Sequence, residues 1–206
     1  MSESAKDHSQ SSLEEIKAEA EADFATCLTD MGLESELVAR LIQLKDFKKG
    51  HHLVKAGQIP NKSYSIVSGC VRQYYIVDGE EKTTFFYTEG QAIFSTTAGD
   101  SSMPSKYYLS CMEDSKLTVL TREAEAELFR KIPSLAATSR EALKEELVLY
   151  QEMLSTYITT TPEQRYENLL LERPDLLQRV PQYHLASYLG VKPESLSRIR
   201  KRITSK

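Results

Sequence analysis

The chain has 206 residues, a formal net charge of −4 and 40% hydrophobic residues, with only 8 glycines and 7 prolines. This composition is typical of a folded globular protein of one or two domains and excludes a largely disordered chain. No run of 18 apolar residues occurs, so we expect no membrane span and a cytoplasmic location.

The N-terminal segment predicts a flexible lead-in followed by helices. Residues 1–12 are polar and lack the basic and then apolar pattern of a secretory signal, so we expect them to be flexible. Between residues 13 and 31 apolar side chains recur at helical spacing, and Gly32 ends that pattern. A second short helical pattern follows, with these residues on one face: Leu37, Val38, Leu41 and Ile42.

Residues 47–120 predict a β-rich domain. The segment is rich in Tyr, Phe, Val, Ile and Thr and is interrupted by glycines. Asp78 and Gly79 separate two β-type runs and predict a tight hairpin. Strands at a spacing of about 8–12 residues indicate a sandwich or barrel. The pattern leaves open an all-β module without a ligand pocket.

The cysteines and histidines do not form a metal-binding pattern. Cys27, Cys70 and Cys111 lie far apart in the sequence, which is typical of free thiols in a reducing compartment. His51 and His52 are neighbours in a predicted strand, where successive side chains point to opposite faces. No nucleophile–base signature or phosphate loop occurs either, so we expect no bound metal and no enzyme.

A long helix without glycine or proline is predicted after Pro133. Its apolar residues step by four and three, which is typical of a helix that packs on a partner helix. These positions, called the seam below, are Leu143, Leu147, Tyr150, Leu154 and Tyr157. A second apolar strip is available for the chain's own β-domain: Leu149, Met153 and Ile158. An ordinary core helix is the alternative, but two strips favour a dimer interface.

A new helix is predicted to start at residue 161. Thr161 is a suitable N-cap, Pro162 fits the first helical position, and Gln164 completes a capping box. The long helix should therefore span residues 133–160. We expect a hinge and a domain boundary at its end.

The C-terminal stretch is basic although the chain is acidic. Residues 181–206 carry six basic residues and one acidic residue, whereas the rest of the chain carries 20 basic and 29 acidic residues. Such asymmetry indicates a cationic binding surface on an acidic body.

The same stretch has the position pattern of a helix-turn-helix. This motif needs a small residue where two helices cross, a turn residue that tolerates the left-handed conformation, and apolar residues at fixed offsets. Ala186 and Gly190 fill the first two roles, and Pro193 suits the start of the second helix. The apolar positions are Leu185, Leu189, Val191, Leu196 and Ile199. A helical protein-interaction module with a solvated basic face is the alternative.

The second helix of this motif leaves polar residues off its buried face, and we predict that they contact DNA: Lys192, Glu194, Ser195, Arg198, Arg200, Lys201 and Arg202. Arg198 can donate two bonds to guanine in the major groove, and Glu194 can accept one from cytosine. The later basic residues are predicted to meet phosphates, which position the protein without specifying sequence: Arg200, Lys201, Arg202 and Lys206.

This order of elements resembles the Crp–Fnr family of bacterial transcription regulators. The segment "FKKGHHLVKAGQIPNKSYSIVSGCVRQYY" is similar to the family's cyclic-nucleotide-binding-type roll, and "LASYLGVKPESLSRIRKR" is similar to its DNA-binding segment. The resemblance implies an α+β protein in three parts: N-terminal helices and a jelly-roll-like β-roll sensor domain over 13–132, a dimerisation helix over 133–160, and a helix-turn-helix domain over 161–206. It also implies a homodimer on a two-fold symmetric operator, a small-molecule effector in the roll, and contact with RNA polymerase.

The ligand anchors of that family are missing from this chain. Counting from Gly90, Ser95 stands where cyclic-nucleotide-binding members have a Glu for the ribose, and Ser105 stands where they have an Arg for the phosphate. Lys106 lies beside Ser105 but lacks the guanidinium fork. We therefore predict that the roll does not bind cyclic AMP. The pocket formed by Gly90, Ser95, Ser105 and Lys106 takes another effector or none.

Iron–sulfur members of the family carry a cysteine cluster near the N-terminus, where this chain has only Cys27. We expect no iron–sulfur cluster, haem or metal. The function predicted is a sequence-specific, effector-responsive DNA-binding regulator. The alternative is an effector- or partner-binding regulatory module whose DNA-binding head is degenerate.

Overall fold

The computed structural model describes residues 40–94 and 103–204. They belong to two compact units, of which the first ends at Ala124 and the second begins at Glu125. The sequence placed the end of the sensor domain at residue 132, within the helical segment that follows the sheets. The helices predicted before residue 40, Cys27 and Ser95 lie outside the described residues.

The first unit contains two four-stranded antiparallel sheets, as expected for a jelly-roll-like β-roll. One sheet has the order β1-β8-β3-β6 and the other β2-β7-β4-β5. The strands are β1 (Gln43–Phe47), β2 (His52–Val54), β3 (Lys62–Ser68), β4 (Val71–Val77), β5 (Glu80–Tyr87), β6 (Ala92–Ile93), β7 (Tyr108–Cys111) and β8 (Ser115–Thr121). The predicted fold class is confirmed for this region.

The core of the roll follows from the alternation of side chains along the strands. On one sheet Tyr64 lies opposite Val119, and Ile66 lies opposite Leu117; all four are buried. The second sheet contributes its own buried residues: Val54, Val71, Phe85, Tyr87, Leu109 and Cys111.

Two cysteines of the first unit are free and buried, as the sequence indicated. They are Cys70 and Cys111. Burial raises the pKa of the Cys111 thiol to about 11, so this thiol is protonated at neutral pH. A buried and protonated thiol is a poor nucleophile and a poor metal ligand.

The predicted hairpin joins β4 to β5. Asp78 and Gly79 both have positive φ, at 53° and 78°. Two consecutive residues of this kind form the turn that matches the twist of antiparallel strands. The pairing of Val77 with Glu80 closes the hairpin.

Six helices occur among the described residues of the second half of the chain, and the first of them crosses the boundary between the units. They are α1 (Arg122–Lys131), α2 (Pro133–Thr159), α3 (Pro162–Glu172), α4 (Leu176–Arg179), α5 (Gln182–Tyr188) and α6 (Pro193–Thr204). None of these helices is long and apolar enough to cross a membrane.

The start of α3 is the capping box that the sequence predicted. The backbone N–H of Gln164 donates to the Thr161 hydroxyl at 3.3 Å. In return the Thr161 N–H donates to the Gln164 side-chain oxygen at 2.9 Å. This reciprocal pair satisfies two backbone donors at the start of the helix and separates α2 from α3.

The helix-turn-helix core is filled as the position pattern requires. Ala186 is fully buried where the helices cross, and Gly190 has a φ of +71° in the turn. The N–H of Val191 donates to the Ala186 carbonyl at 2.9 Å and closes the turn. The buried apolar positions are Leu185, Leu189, Leu196 and Ile199.

Candidate nucleic-acid interface

The exposed face of α6 is the candidate DNA-contacting surface. Leu196 and Ile199 are buried on one side of the helix. At about 100° per residue, Glu194, Arg198 and Lys201 fall together on the opposite side. All three are exposed, so they form an outward stripe that we call the recognition stripe.

The other predicted DNA contacts flank this stripe. Lys192 and Arg200 are exposed, whereas Ser195 is half-buried. Ser197 is exposed next to the stripe and was missed by the sequence analysis, although its place on the helix follows from the same periodicity. It adds a hydroxyl beside the arginine of the stripe.

Arg202 has a partner inside the domain that the sequence did not predict. Its Nη1 lies 3.2 Å from Oε2 of Glu163 in the first turn of α3. The pair connects the last turn of α6 to the start of α3. Since the Arg202 side chain is 62% exposed, the pair is a surface one and contributes at most about 1 kcal/mol.

The charges of α6 match its dipole. Glu194 lies in the first turn, and Lys201 and Arg202 lie in the last. Acidic residues near a helix N-terminus and basic residues near its C-terminus both stabilise the helix. The same order places a hydrogen-bond acceptor at the start of the recognition stripe and cations at its end.

The predicted dimer seam is exposed along α2. Leu143, Leu147 and Leu154 have relative exposures of 44%, 57% and 61%. Tyr150 is half-buried, and its hydroxyl donates to Oε1 of Glu146 at 2.8 Å. No residue of α2 is buried.

Tyr157, the last residue of the seam, also has contacts within its own chain. A Cβ built on Gly190 would stand 2.4 Å from the Tyr157 hydroxyl. The ring lies under the guanidinium of Arg165, whose carbon is 4.6 Å from the ring centroid. This arrangement was not predicted from the sequence.

Three of the predicted effector residues of the roll lie in loops of the described structure: Gly90, Ser105 and Lys106. The Ser105 hydroxyl donates to the Tyr107 carbonyl at 2.8 Å and accepts from the Tyr107 N–H at 3.1 Å. Gly90 has a φ of +78° in the turn between β5 and β6, and Lys106 is exposed. The structure therefore gives the hydroxyl of Ser105 a local structural role.

A polar group inside the roll was not predicted. Gln73 of β4 lies opposite Leu109 and Phe85, on the face of the sheet that also carries Val71. Its side-chain oxygen accepts from the Tyr87 hydroxyl at 3.2 Å. Its side-chain nitrogen donates to the Thr84 hydroxyl at 3.3 Å. Both ends of this amide are therefore bonded to side chains of β5.

His52 lies on the same sheet, in β2. Its Nε2 is 3.1 Å from the Tyr74 hydroxyl. Partial burial lowers the pKa of His52 because desolvation disfavours the imidazolium. Within the described ranges, no group of three or more His, Cys, Asp or Glu side chains is placed to hold a metal ion.

The sequence is similar to a known domain family and to curated regulators. Residues 44–131 match the model of the cyclic nucleotide-binding domain. The fumarate and nitrate reduction regulatory protein of Vibrio cholerae is 26% identical over 168 residues, which cover 75% of this chain and 66% of the relative. The protein of the same name from Escherichia coli K12 is 25% identical over 170 residues, with the same coverage. The match thus spans just under two thirds of these relatives' length.

The fold is similar to that of proteins of known structure. FixK2 from Bradyrhizobium japonicum has a TM-score of 0.67 at 18% identity, covering 80% of this chain and 85% of that one. CLP from Xanthomonas campestris, described as a c-di-GMP responsive global regulator, has a TM-score of 0.65 at 16% identity, covering 82% and 90%. At these identities the likeness concerns the fold.

The fold and the matches define a protein with a cyclic-nucleotide-binding-type β-roll, a long connecting helix and a helix-turn-helix. Residues 44–131 match the cyclic nucleotide-binding domain, and the chain is similar in sequence to the fumarate and nitrate reduction regulatory proteins.

Proposed function

We propose that the chain is a sequence-specific DNA-binding transcription regulator. The observation that carries the proposal is the recognition stripe of Glu194, Arg198 and Lys201, exposed on a helix whose other face closes a complete helix-turn-helix core. The surplus of basic residues after residue 180 supports it, because DNA phosphates attract such a surface.

We further propose that the regulator is a homodimer joined through α2 and that it binds an operator with two-fold symmetry. The exposed leucines of the seam support this, since an apolar row of that length gains free energy when a second copy covers it. Two identical heads on a two-fold axis match a two-fold symmetric site. We also propose RNA polymerase as a further partner and the cytoplasm as the location.

For the roll, we propose a role as a sensor whose effector is not cyclic AMP. The engagement of the Ser105 hydroxyl with the Tyr107 backbone supports this, because no arginine stands there to pair with a phosphate.

The experiment is an enrichment of duplexes from a random DNA library with the purified full chain, followed by gel shifts at two salt concentrations. We expect enrichment of a two-fold symmetric motif, and binding that weakens steeply with salt, with a slope of about −0.9 for each phosphate neutralised. The double variant Arg198→Ala/Lys201→Ala is the matched control and should enrich no motif.

Failure of the wild-type chain to enrich any motif would contradict the proposal. That result would favour the alternative of a regulatory module whose helix-turn-helix does not bind DNA.

A further inference from the structure

One arginine ties the end of the long helix to the turn of the helix-turn-helix. Nη1 of Arg165 donates to the carbonyl oxygens of Tyr157 and Thr160, at 3.2 and 2.6 Å. Nε of Arg165 donates to the carbonyl oxygen of Leu189, at 3.1 Å. Tyr157 and Thr160 belong to the end of α2, and Leu189 is the C-cap of α5. A single guanidinium therefore joins the C-terminal ends of two helices.

The chemistry of helix ends explains why an arginine suits this place. The last carbonyls of a helix lack partners within it, and together they carry a partial negative charge. The Thr161 N–H could serve the Tyr157 carbonyl, but it donates to the Gln164 side chain instead. Arg165 supplies the missing donors and a positive charge. A lysine would bring the charge without the planar fork that reaches several acceptors at once.

The contacts of Arg165 with the end of α2 and with Leu189 are called the joint below, and side chains of α2 complete it. The Tyr157 ring stacks on the Arg165 guanidinium, and the Tyr157 hydroxyl occupies the space beside Gly190. One turn earlier, the Tyr188 hydroxyl approaches the sulfur of Met153 at 3.8 Å. The last two turns of α2 thus contact the end of α5 and the turn that follows it.

We propose that Arg165 and Tyr157 are positioning residues, which bridge the hinge predicted at the end of α2 and, in the absence of an effector, hold the helix-turn-helix at one angle to the long helix. Neither residue belongs to the recognition stripe, and both act through the backbone of the turn. In a dimer the two heads must meet two half-sites at once, so a loose joint lowers affinity for the symmetric site while leaving the base contacts of each head unchanged. This consequence for DNA rests on the proposed function, whereas the fixed angle itself does not.

The test measures the angle directly with two spin labels in one chain. The labels are placed by Glu145→Cys on α2 and Ser197→Cys on α6, both at exposed positions, in a Cys27→Ser background. An excess of unlabelled protein limits the signal to distances within one chain. We expect one narrow distance distribution for the parent, a broadened one for Arg165→Gln, and an intermediate one for Arg165→Lys.

Arg130→Gln is the matched control, because Arg130 is exposed on α1 and takes no part in the contacts of Arg165 and Tyr157 described above. It should leave the distribution unchanged. The melting temperature is recorded in parallel. If Arg165 only stabilises the fold, Arg165→Gln will lower the melting temperature and leave the distances in the folded protein unchanged. Superimposable distributions for the parent and Arg165→Gln would overturn the proposal. If Arg165→Gln does not fold, Tyr157→Leu takes its place with the same expected broadening and the same overturning result.

DNA binding gives a second and separable reading. With the enriched duplex, Arg165→Gln should bind the full symmetric site more weakly than the parent and bind an isolated half-site equally well. An equal weakening on both duplexes would contradict a positioning role. If the parent chain binds no DNA, the proposed function fails. The distance measurement still decides whether Arg165 and Tyr157 fix the angle between α2 and the helix-turn-helix.

Discussion

The long helix α2 and the recognition helix α6 carry the same kind of amphipathic pattern, but among the described residues only α6 has buried residues on its apolar face. α6 buries Leu196 and Ile199 in the core of the helix-turn-helix, whereas α2 has no buried residue and exposes Leu147 and Leu154. Most of the stability of a helix in a protein comes from packing an apolar face. Periodicity therefore identifies an apolar face without reporting what covers it, and for α2 we propose that a second copy of the chain does so.

The largest expected effect follows from charging the seam with Leu147→Glu. Each fully buried leucine contributes about 1.5–3 kcal/mol, and the change removes one from each chain and adds two like charges. We expect a monomer that has lost operator binding. Light scattering gives the mass and gel shift gives the binding. Ser155→Glu adds the same charge to an exposed position off the seam and should remain a dimer. A dimeric Leu147→Glu variant would disprove the seam.

The contrast between the two helices can be sharpened by leucine truncation. Leu196→Ala should destabilise the second unit by about 2–5 kcal/mol, because it opens a cavity in a fully buried site. In the monomeric Leu147→Glu background, Leu154→Ala should cost no more than about 0.5 kcal/mol, since that leucine is exposed in the single chain. Urea unfolding followed by circular dichroism measures both. Similar costs would show that α2 packs within its own chain.

A smaller effect is expected at the turn of the head. Gly190→Ala should cost about 1–2 kcal/mol because its backbone is left-handed. In the parent chain the total loss of stability should exceed this backbone strain, because the new Cβ also meets the Tyr157 hydroxyl. The cost should shrink in a Tyr157→Phe background, as measured by urea unfolding in a double-mutant cycle. Identical losses of stability in both backgrounds would show that the Tyr157 hydroxyl does not pack against position 190.

No effect is expected when cyclic AMP is added to the roll. A buried phosphate needs charged partners, and the Ser105 hydroxyl is bonded to the Tyr107 backbone instead. Calorimetry should show no binding at micromolar concentrations. If heat is released, the Lys106→Ala variant tests whether that lysine acts as the replacement cation. Binding of cyclic AMP would contradict our account of the roll.

The sequence predicted the parts of the fold that local patterns specify. The capping box at Thr161, the left-handed turn at Gly190 and the small residue at Ala186 are each determined by neighbours a few residues away. The Asp78–Gly79 hairpin is of the same kind. These features were predicted because one short segment contains all the residues that make each of them.

The features that were missed join residues far apart in the sequence. Arg165 bonds to Leu189 across 24 positions, and Arg202 pairs with Glu163 from the other end of the domain. An arginine on a helix surface gives no periodic signal of its partners, which depend on how the helices cross. The role of Ser105 was missed for a related reason: a serine in a loop bonds equally well to a ligand or to nearby backbone.

The most direct test of the central claim, that α6 recognises base sequence, compares Arg198→Ala with Lys201→Ala. Binding of each variant to the enriched operator and to its single-base variants is measured across a salt series. Arg198→Ala should cost about 1–3 kcal/mol and relax preference at one base pair per half-site. Lys201→Ala should weaken all sequences about equally and reduce the salt slope by about one unit for each phosphate that the lysine neutralises in the parent. If Arg198→Ala weakened every sequence equally while Lys201→Ala altered base preference, the docking of this helix would be wrong.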